Sequence, residues 1–154
     1  MLKQFWTAAV LCGSMSLAAL ASAQDAPALT LEMAERAMAA AMAESQANNW
    51  RLTIAIVDAV GVPVMIHRMD GASPRSFDIA LAKAKVVTAT GLTSGEYGRR
   101  LQAGEIQEVE GGVTFAGGVP ITLNGERIGA ITSSGARATE DEQVSLAGAR
   151  AIGD

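Results

Sequence analysis

The stretch that decides the fold is residues 115–142, FAGGVPITLNGERIGAITSSGARATEDE. Seven of the chain's 16 glycines lie between Gly111 and Gly135, a density that excludes a helix and requires tight turns or close backbone approach. At its centre, Asn124-Gly125 predicts a hairpin that pairs Val119–Leu123 with Arg127–Thr132. Thr139 and Glu142 have the spacing of a capping box, so we expect a closing helix from Glu140 to about Ala151.

The preceding residues predict further helices and strands. We expect a first helix over 31–46, with Thr30 as its N-cap. Further helices are expected over 74–90 and, more weakly, 94–103, with strands over 51–58 and 62–68. The order is therefore α-β-β-α-(α)-β-β-(β)-α, in which both clear strand connections are hairpins. Hairpins join antiparallel strands, so the chain is expected to be α+β, with a central antiparallel sheet flanked by helices.

Two patterns predict how these elements pack. The strand over 51–58 is apolar on both faces, which indicates a central strand, and Pro63 indicates an edge strand. Helical spacing predicts apolar stripes on the first two long helices; their members are Leu31, Ala34, Met38 and Met42, then Phe77, Leu81, Ala84 and Val87.

The first 23 residues have the pattern of a secretory signal peptide. Lys3 provides a positive start, Ala8–Leu20 an apolar run, and Ala21-Ser22-Ala23 a cleavage site. Residues 24–154 then form a single domain, which we expect to be periplasmic or secreted. The only cysteine, Cys12, leaves with the signal peptide, so disulfides and cysteinyl metal sites are excluded from the mature domain.

Composition and missing motifs exclude several classes of function. The formal net charge is −4 and there is no basic run, which argues against nucleic acid as a partner. No segment after the signal peptide is apolar enough to remain in a membrane. The sequence has no P-loop, no G-x-G-x-x-G opening a helix, no G-x-S-x-G and no H-E-x-x-H.

Two places carry candidate chemistry. The segment His67-Arg68-Met69-Asp70 follows the second strand, where binding residues often lie; His67, the only histidine, is either a metal or haem ligand or an ordinary surface histidine. Lys83 falls near the apolar side of the second long helix, where it is either functional or a lysine that extends its ammonium to solvent. The paired glycines 111–112 and 117–118 suit an anion cradle or tight turns, of which we favour turns.

The ordered set of motifs resembles the GlcG/HbpS haem-binding family, whose fold also occurs as the C-terminal domain of PduO proteins. The motifs span Leu29 to about Gly148 and share order and spacing with that family. They are Thr30-Leu31, Ile56-Val57-Asp58 with Gly61, Arg68 to Ala72, Ala80 with Lys83-Ala84, Gly117 to Ile121 with Gly125, Ile128 to Ile131, Ser134-Gly135 and Asp141-Glu142. This chain departs from the family at Thr132-Ser133, whose hydroxyls would make a ligand pocket more polar, and at Val86-Val87.

The resemblance implies a profilin-like α+β domain that assembles as a homo-oligomer, often an octamer, and binds haem or a related tetrapyrrole. If haem is bound, His67 is the best candidate axial ligand by its chemistry and not by a family rule, ahead of Met69 and Tyr97, with Arg68, Arg75 and Lys83 as partners for the propionates. Two alternatives remain. One is an enzyme (a lyase, isomerase or hydrolase) acting on an organic acid or aldehyde with Lys83, His67 and Asp70 in a subunit-interface pocket; the other is an accessory or sensor protein of a catabolic or redox pathway.

Overall fold

The structure, a computed structural model, describes residues 27–153, so the predicted signal peptide lies outside the described residues. The chain forms four helices and four strands within that range. They are α1 (Leu31–Ala47), β1 (Thr53–Asp58), β2 (Pro63–Arg68), α2 (Pro74–Thr90), α3 (Ser94–Gln102), β3 (Gly118–Leu123), β4 (Glu126–Ser134) and α4 (Ala138–Arg150). The prediction of an α+β domain is confirmed.

The strands form one antiparallel sheet in the order β2-β1-β4-β3. As predicted, β1 is central and β2 lies at an edge. Asn124 and Gly125 both have positive φ, at 53° and 80°, as a two-residue hairpin between β3 and β4 requires. The optional strand before the last helix does not form, since residues 135–137 are a bend between β4 and α4.

The two faces of the sheet have different chemistry. The face that packs against α1 and α4 carries large apolar side chains, among them Ile54, Ile56 and Ile131, which are fully buried. The opposite face packs against α2 and carries smaller and hydroxyl-bearing side chains, such as Thr53, Ala55 and Thr132. We call these the α1/α4 face and the α2 face.

The predicted apolar stripe of α2 is wrong in part. Ala84 and Val87 are buried, but Phe77 is 38% exposed and Leu81 is only half-buried. The residues that contact the sheet lie one position away, on a face that includes Ser76, Ala80 and Lys83. Because the facing strands carry hydroxyls and small side chains, α2 packs its small and polar side chains there and leaves the larger ones outside.

The predicted cap of α4 is also wrong. Helix α4 begins two residues earlier, and its first cap contact joins the Arg137 amide to Glu140 Oε2 at 3.0 Å. Thr139 therefore lies inside the first turn. Asp141 Oδ1 accepts a hydrogen bond from the Ala136 amide at 3.0 Å, which fixes the bend before the helix. The Thr30 cap of α1 is confirmed, since its hydroxyl accepts from the Met33 amide at 3.2 Å.

Candidate functional site

A buried ion pair joins α2 to α4 at the end of the sheet where β4 ends and β3 begins. Lys83 Nζ lies 2.9 Å from Asp141 Oδ2, and the two side chains are 1% and 5% exposed. The same ammonium donates to the Ser133 carbonyl oxygen at 2.7 Å. The interpretation of Lys83 as a lysine that reaches solvent is therefore wrong: its charge is compensated within the fold.

Gly117 makes this arrangement possible. Its φ is +121°, and a Cβ built there would lie 2.5 Å from Lys83 Nζ and 2.8 Å from the Ser133 carbonyl oxygen. The Gly117 carbonyl oxygen accepts from the Ser133 amide and from Ser145 Oγ, each at 2.8 Å. Because glycine has no Cβ, the backbone at Gly117 can lie close to the Lys83 ammonium, which a residue with a side chain could not do.

The ion pair opens onto a cavity of about 270 Å³. Most of the lining is apolar, and its polar residues are Lys83, Ser134 and Asp141. The other lining residues are Ile79, Phe115, Ala136 and Ala138. Burial lowers the pKa of Lys83, and the nearby Asp141 carboxylate offsets only part of that effect. We call this the lysine cavity. A mostly apolar pocket with a few convergent polar groups and a perturbed titratable residue has the features of a small-molecule site.

His67 lies in a different cleft, at the edge strand. It pairs with Ile54 in the β1–β2 register and therefore projects from the α1/α4 face. The cleft has a volume of about 210 Å³ and is lined by Met42, Gln46, Arg51, His67, Arg68, Met69 and Asp70. We call it the histidine cleft. His67, Arg68 and Asp70, which the sequence singled out as a group, line it together.

The alternative axial ligands are already engaged. Tyr97 is 1% exposed and its hydroxyl accepts a hydrogen bond from the Val109 amide at 2.8 Å. Met69 is buried, and its sulfur accepts from Ser45 Oγ at 3.3 Å. His67 is exposed, so of the three it is the side chain with a free approach from solvent.

Within one chain, the predicted site residues do not form one group. The histidine cleft and the lysine cavity lie at the same end of the sheet, because Thr53 pairs with both Arg68 and Ser134, but they share no lining residue. Arg75 is exposed in the first turn of α2 and lines neither. A single-chain site that combines Lys83 with His67 is therefore not present among the described residues.

The hydroxyls at the departure from the family pattern point into the fold. Thr132 Oγ1 donates to the Ala80 carbonyl oxygen at 2.8 Å, and Ser133 Oγ lies 2.9 Å from Ser145 Oγ. Both residues are fully buried. The prediction that these hydroxyls meet a ligand is not supported, and it is the next residue, Ser134, that lines the lysine cavity.

Two residues of these sites were not identified as such from the sequence. Asp141 stood out only as part of a family motif, and its pairing with Lys83 spans 58 positions, which no local pattern indicates. Arg51 was assigned to a strand, yet it lies outside β1 and lines the histidine cleft. The predicted strand could have identified Arg51 as a candidate, because a charged residue directly before a buried strand lies at the edge of the sheet.

Among residues 27–153, no cluster of three or more His, Cys, Asp or Glu side chains is placed to hold a metal ion. None of the helices in that range combines the length and apolar character needed to cross a bilayer.

Comparison with known proteins identifies the family. Residues 29–150 match the family described as HbpS-like, haem degrading protein HbpS-like. Protein GlcG of Escherichia coli is 32% identical over 113 residues, which is 67% of this chain and 78% of GlcG. The chain therefore belongs to the HbpS-like family, and the resemblance drawn from the motifs is confirmed.

Solved structures agree with this assignment. The crystal structure of HbpS is 32% identical, with a TM-score of 0.78 over 86% of this chain and 96% of that one. The crystal structure of a PduOC:heme complex is 26% identical, with a TM-score of 0.76 over 82% of this chain and 96% of that one. The profilin-like α+β architecture implied by the family is thereby supported by structure as well as by sequence.

Proposed function

We propose that this protein is an exported, homo-oligomeric binding protein for haem or a related tetrapyrrole, and that the histidine cleft is its site. The observation that carries the proposal is that one exposed imidazole, two thioether side chains and two guanidinium groups line that cleft, together with the amide of Gln46 and the carboxylate of Asp70. The family description and the haem complex of PduOC support the same ligand class.

The residues present suit haem chemically. Imidazole is a common axial ligand of haem iron, and His67 is the group that would supply it. Arg51 and Arg68 would pair with the propionates through charge-assisted hydrogen bonds, and Arg68 Nη1 is already oriented by donating to the Ala72 carbonyl oxygen at 2.8 Å. Met42 and Met69 would provide apolar contact for the ring.

The volume of the cleft supports an assembly. At about 210 Å³ the cleft lies below the roughly 300–1,000 Å³ of sites that enclose drug-sized ligands. One chain would therefore cover only part of a tetrapyrrole, and a neighbouring subunit would cover more. Bulky apolar side chains support self-association, since Val60, Val62 and Phe115 are 82%, 57% and 55% exposed.

Haemin titration of residues 24–154 tests the proposal. We expect a shifted Soret band for the wild type and its loss in His67→Ala. Because His67 is exposed, that change should alter the free energy of unfolding by no more than about 0.5 kcal/mol. An unshifted wild-type band would exclude haem binding, and an unchanged band in His67→Ala would exclude the axial assignment.

A matched pair of arginine variants controls for the loss of charge. Arg68→Ala should weaken haemin binding, because Arg68 lines the cleft, whereas Arg75→Ala should not, because Arg75 lies outside it. Equal weakening by both variants would mean that net charge, not the cleft, governs affinity. Light scattering of the same samples tests assembly, for which the family resemblance predicts an octamer, and a purely monomeric protein would contradict it.

Export has a separate test. Expression of the full chain in a Gram-negative host should yield periplasmic protein that begins at Gln24. Protein that stays in the cytoplasm with Met1–Ala23 attached would contradict the signal peptide and leave the haem proposal untouched.

A further inference from the structure

We infer that the lysine cavity is a second site, separate from the histidine cleft, in which Lys83 captures a small uncharged aldehyde or ketone as an imine. The inference does not depend on haem binding. It rests on the placement of a nucleophilic amine, a proton acceptor and an apolar binding wall around one cavity.

Two hydrogen bonds fix the amine of Lys83. An ammonium group has three N–H donors, and two of them are used by the Ser133 carbonyl oxygen and Asp141 Oδ2. The Lys83 side chain is 1% exposed, and Lys83 is one of the residues that line the cavity. A small molecule in the cavity would therefore contact the residue that carries this amine.

The protonation state of Lys83 decides whether it can react. Only the neutral amine attacks a carbonyl carbon. Burial lowers the pKa of Lys83, while the charges of Asp141 and Glu142 act in the opposite direction. Asp141 Oδ2, at 2.9 Å, is positioned to accept the proton that the ammonium must release.

The reaction balances without any further reactant. The neutral nitrogen attacks the carbonyl carbon, a C–N bond forms, and the resulting carbinolamine loses its hydroxyl with a proton as water. A C=N bond to Lys83 remains. No electrons are transferred, and the proton taken up by Asp141 is available to the departing hydroxyl.

The lining and volume of the lysine cavity favour one class of carbonyl compound. Ile79, Phe115 and Ala136 provide an apolar wall for a short carbon chain, and the cavity of about 270 Å³ is too small for an extended substrate. The carboxylate of Asp141 lies in the wall, and Glu142 is close enough to affect Lys83. Because like charges repel, an uncharged aldehyde is favoured over an anionic one.

The chain itself supplies the control for a test. Residues 24–154 contain two lysines, Lys83 and Lys85, and Lys85 is exposed on the same helix. The wild-type protein is incubated near neutral pH with butanal and cyanoborohydride, which reduces the imine to a stable secondary amine. Peptide mapping by mass spectrometry then gives the labelling rate of each lysine.

Each unit by which a lysine pKa is lowered raises its neutral fraction about tenfold at neutral pH. We therefore expect Lys83 to label faster than Lys85, since burial lowers the pKa of Lys83. Equal rates, or labelling of Lys85 alone, would overturn the inference and leave Lys83–Asp141 as a structural ion pair. No variant is needed for this comparison, so misfolding cannot obscure it.

Two further measurements sharpen the assignment. Asp141→Asn keeps an acceptor for the Ala136 amide and removes a charge that raises the pKa of Lys83, so in folded protein it should speed the labelling of Lys83 and leave that of Lys85 unchanged. Replacing butanal by glyoxylate should lower the ratio of Lys83 to Lys85 labelling. A ratio that does not fall would overturn the assignment to uncharged carbonyl compounds.

Discussion

The two faces of the sheet are stabilised in different ways. The α1/α4 face is an apolar core in which Ile54, Ile56 and Ile131 pack against two helices. The α2 face contains hydroxyls, small side chains and a buried lysine, and its polar groups are paired, as in the bonds from Thr132 to Ala80 and from Thr53 to Ser76. Among the described residues, no buried side-chain nitrogen or oxygen lacks a hydrogen-bond partner.

This difference shows where function is available in such a small domain. An apolar face gains free energy by excluding water, roughly in proportion to the area it buries, and the imidazole on that side, His67, lies at its edge in the histidine cleft. The α2 face depends on specific partners, so its polar groups are costly to bury and are held in fixed positions. The lysine cavity lies at the end of that face.

The largest expected effect is the loss of the lysine from the ion pair. Lys83→Met should lower the free energy of unfolding by about 3–5 kcal/mol, because it leaves the Asp141 carboxylate buried without its partner. Urea denaturation measures this. Lys85→Met, two positions away and exposed, should change the value by no more than about 0.5 kcal/mol, and Lys83→Met with Asp141→Asn should recover most of the loss. A cost that persists in the double variant would mean that packing of the lysine chain matters more than its charge.

The apolar face should respond to volume and not to charge. Ile56→Ala removes a fully buried side chain and should cost about 2–5 kcal/mol, whereas Ile56→Leu conserves volume and should cost less than about 1.5 kcal/mol. The same denaturation experiment compares them. If the leucine variant lost as much as the alanine variant, the two faces would not differ in the way described here.

The smallest expected effect is a change of the free energy of unfolding with pH in the alkaline range. Because burial lowers the pKa of Lys83 below the roughly 10.4 of an unfolded lysine, the unfolded chain binds more protons between the two values. The free energy of unfolding therefore rises with pH in that window, and this contribution is lost as the pH falls through the folded value. Relative to the double variant Lys83→Met/Asp141→Asn, the wild type should gain stability as the pH rises toward the unfolded pKa of roughly 10.4. A falling difference would contradict the direction of the shift.

Local patterns predicted what depends on local physics. The helix start at Thr30, the hairpin at Asn124-Gly125, the central position of β1 and the edge position of β2 are all confirmed. Each follows from capping, turn conformation or side-chain alternation within a few residues.

Patterns failed where distant residues decide the outcome. Phe77 and Leu81 were expected in the core because they share helical spacing with Ala84 and Val87, yet the side of α2 that packs on the sheet also includes Ser76, Ala80 and Lys83 and leaves Phe77 exposed. Asp141 stood out in the sequence only as part of a family motif, yet its carboxylate is engaged by Lys83 and by the bend before α4. Neither outcome can be read from neighbouring residues, because the competing partner lies on another element.

The sequence by itself determined the family, the α+β class and most of the helices and strands, because ordered motifs and local turn and cap preferences are properties of short segments. The tertiary structure decided that His67 lies in one place and Lys83 in another. It also decided that Lys83 is buried against Asp141, and that Gly117 leaves the space for it. The physical reason is that burial and charge compensation depend on which segments pack together, and here they join residues separated by 58 positions of the chain.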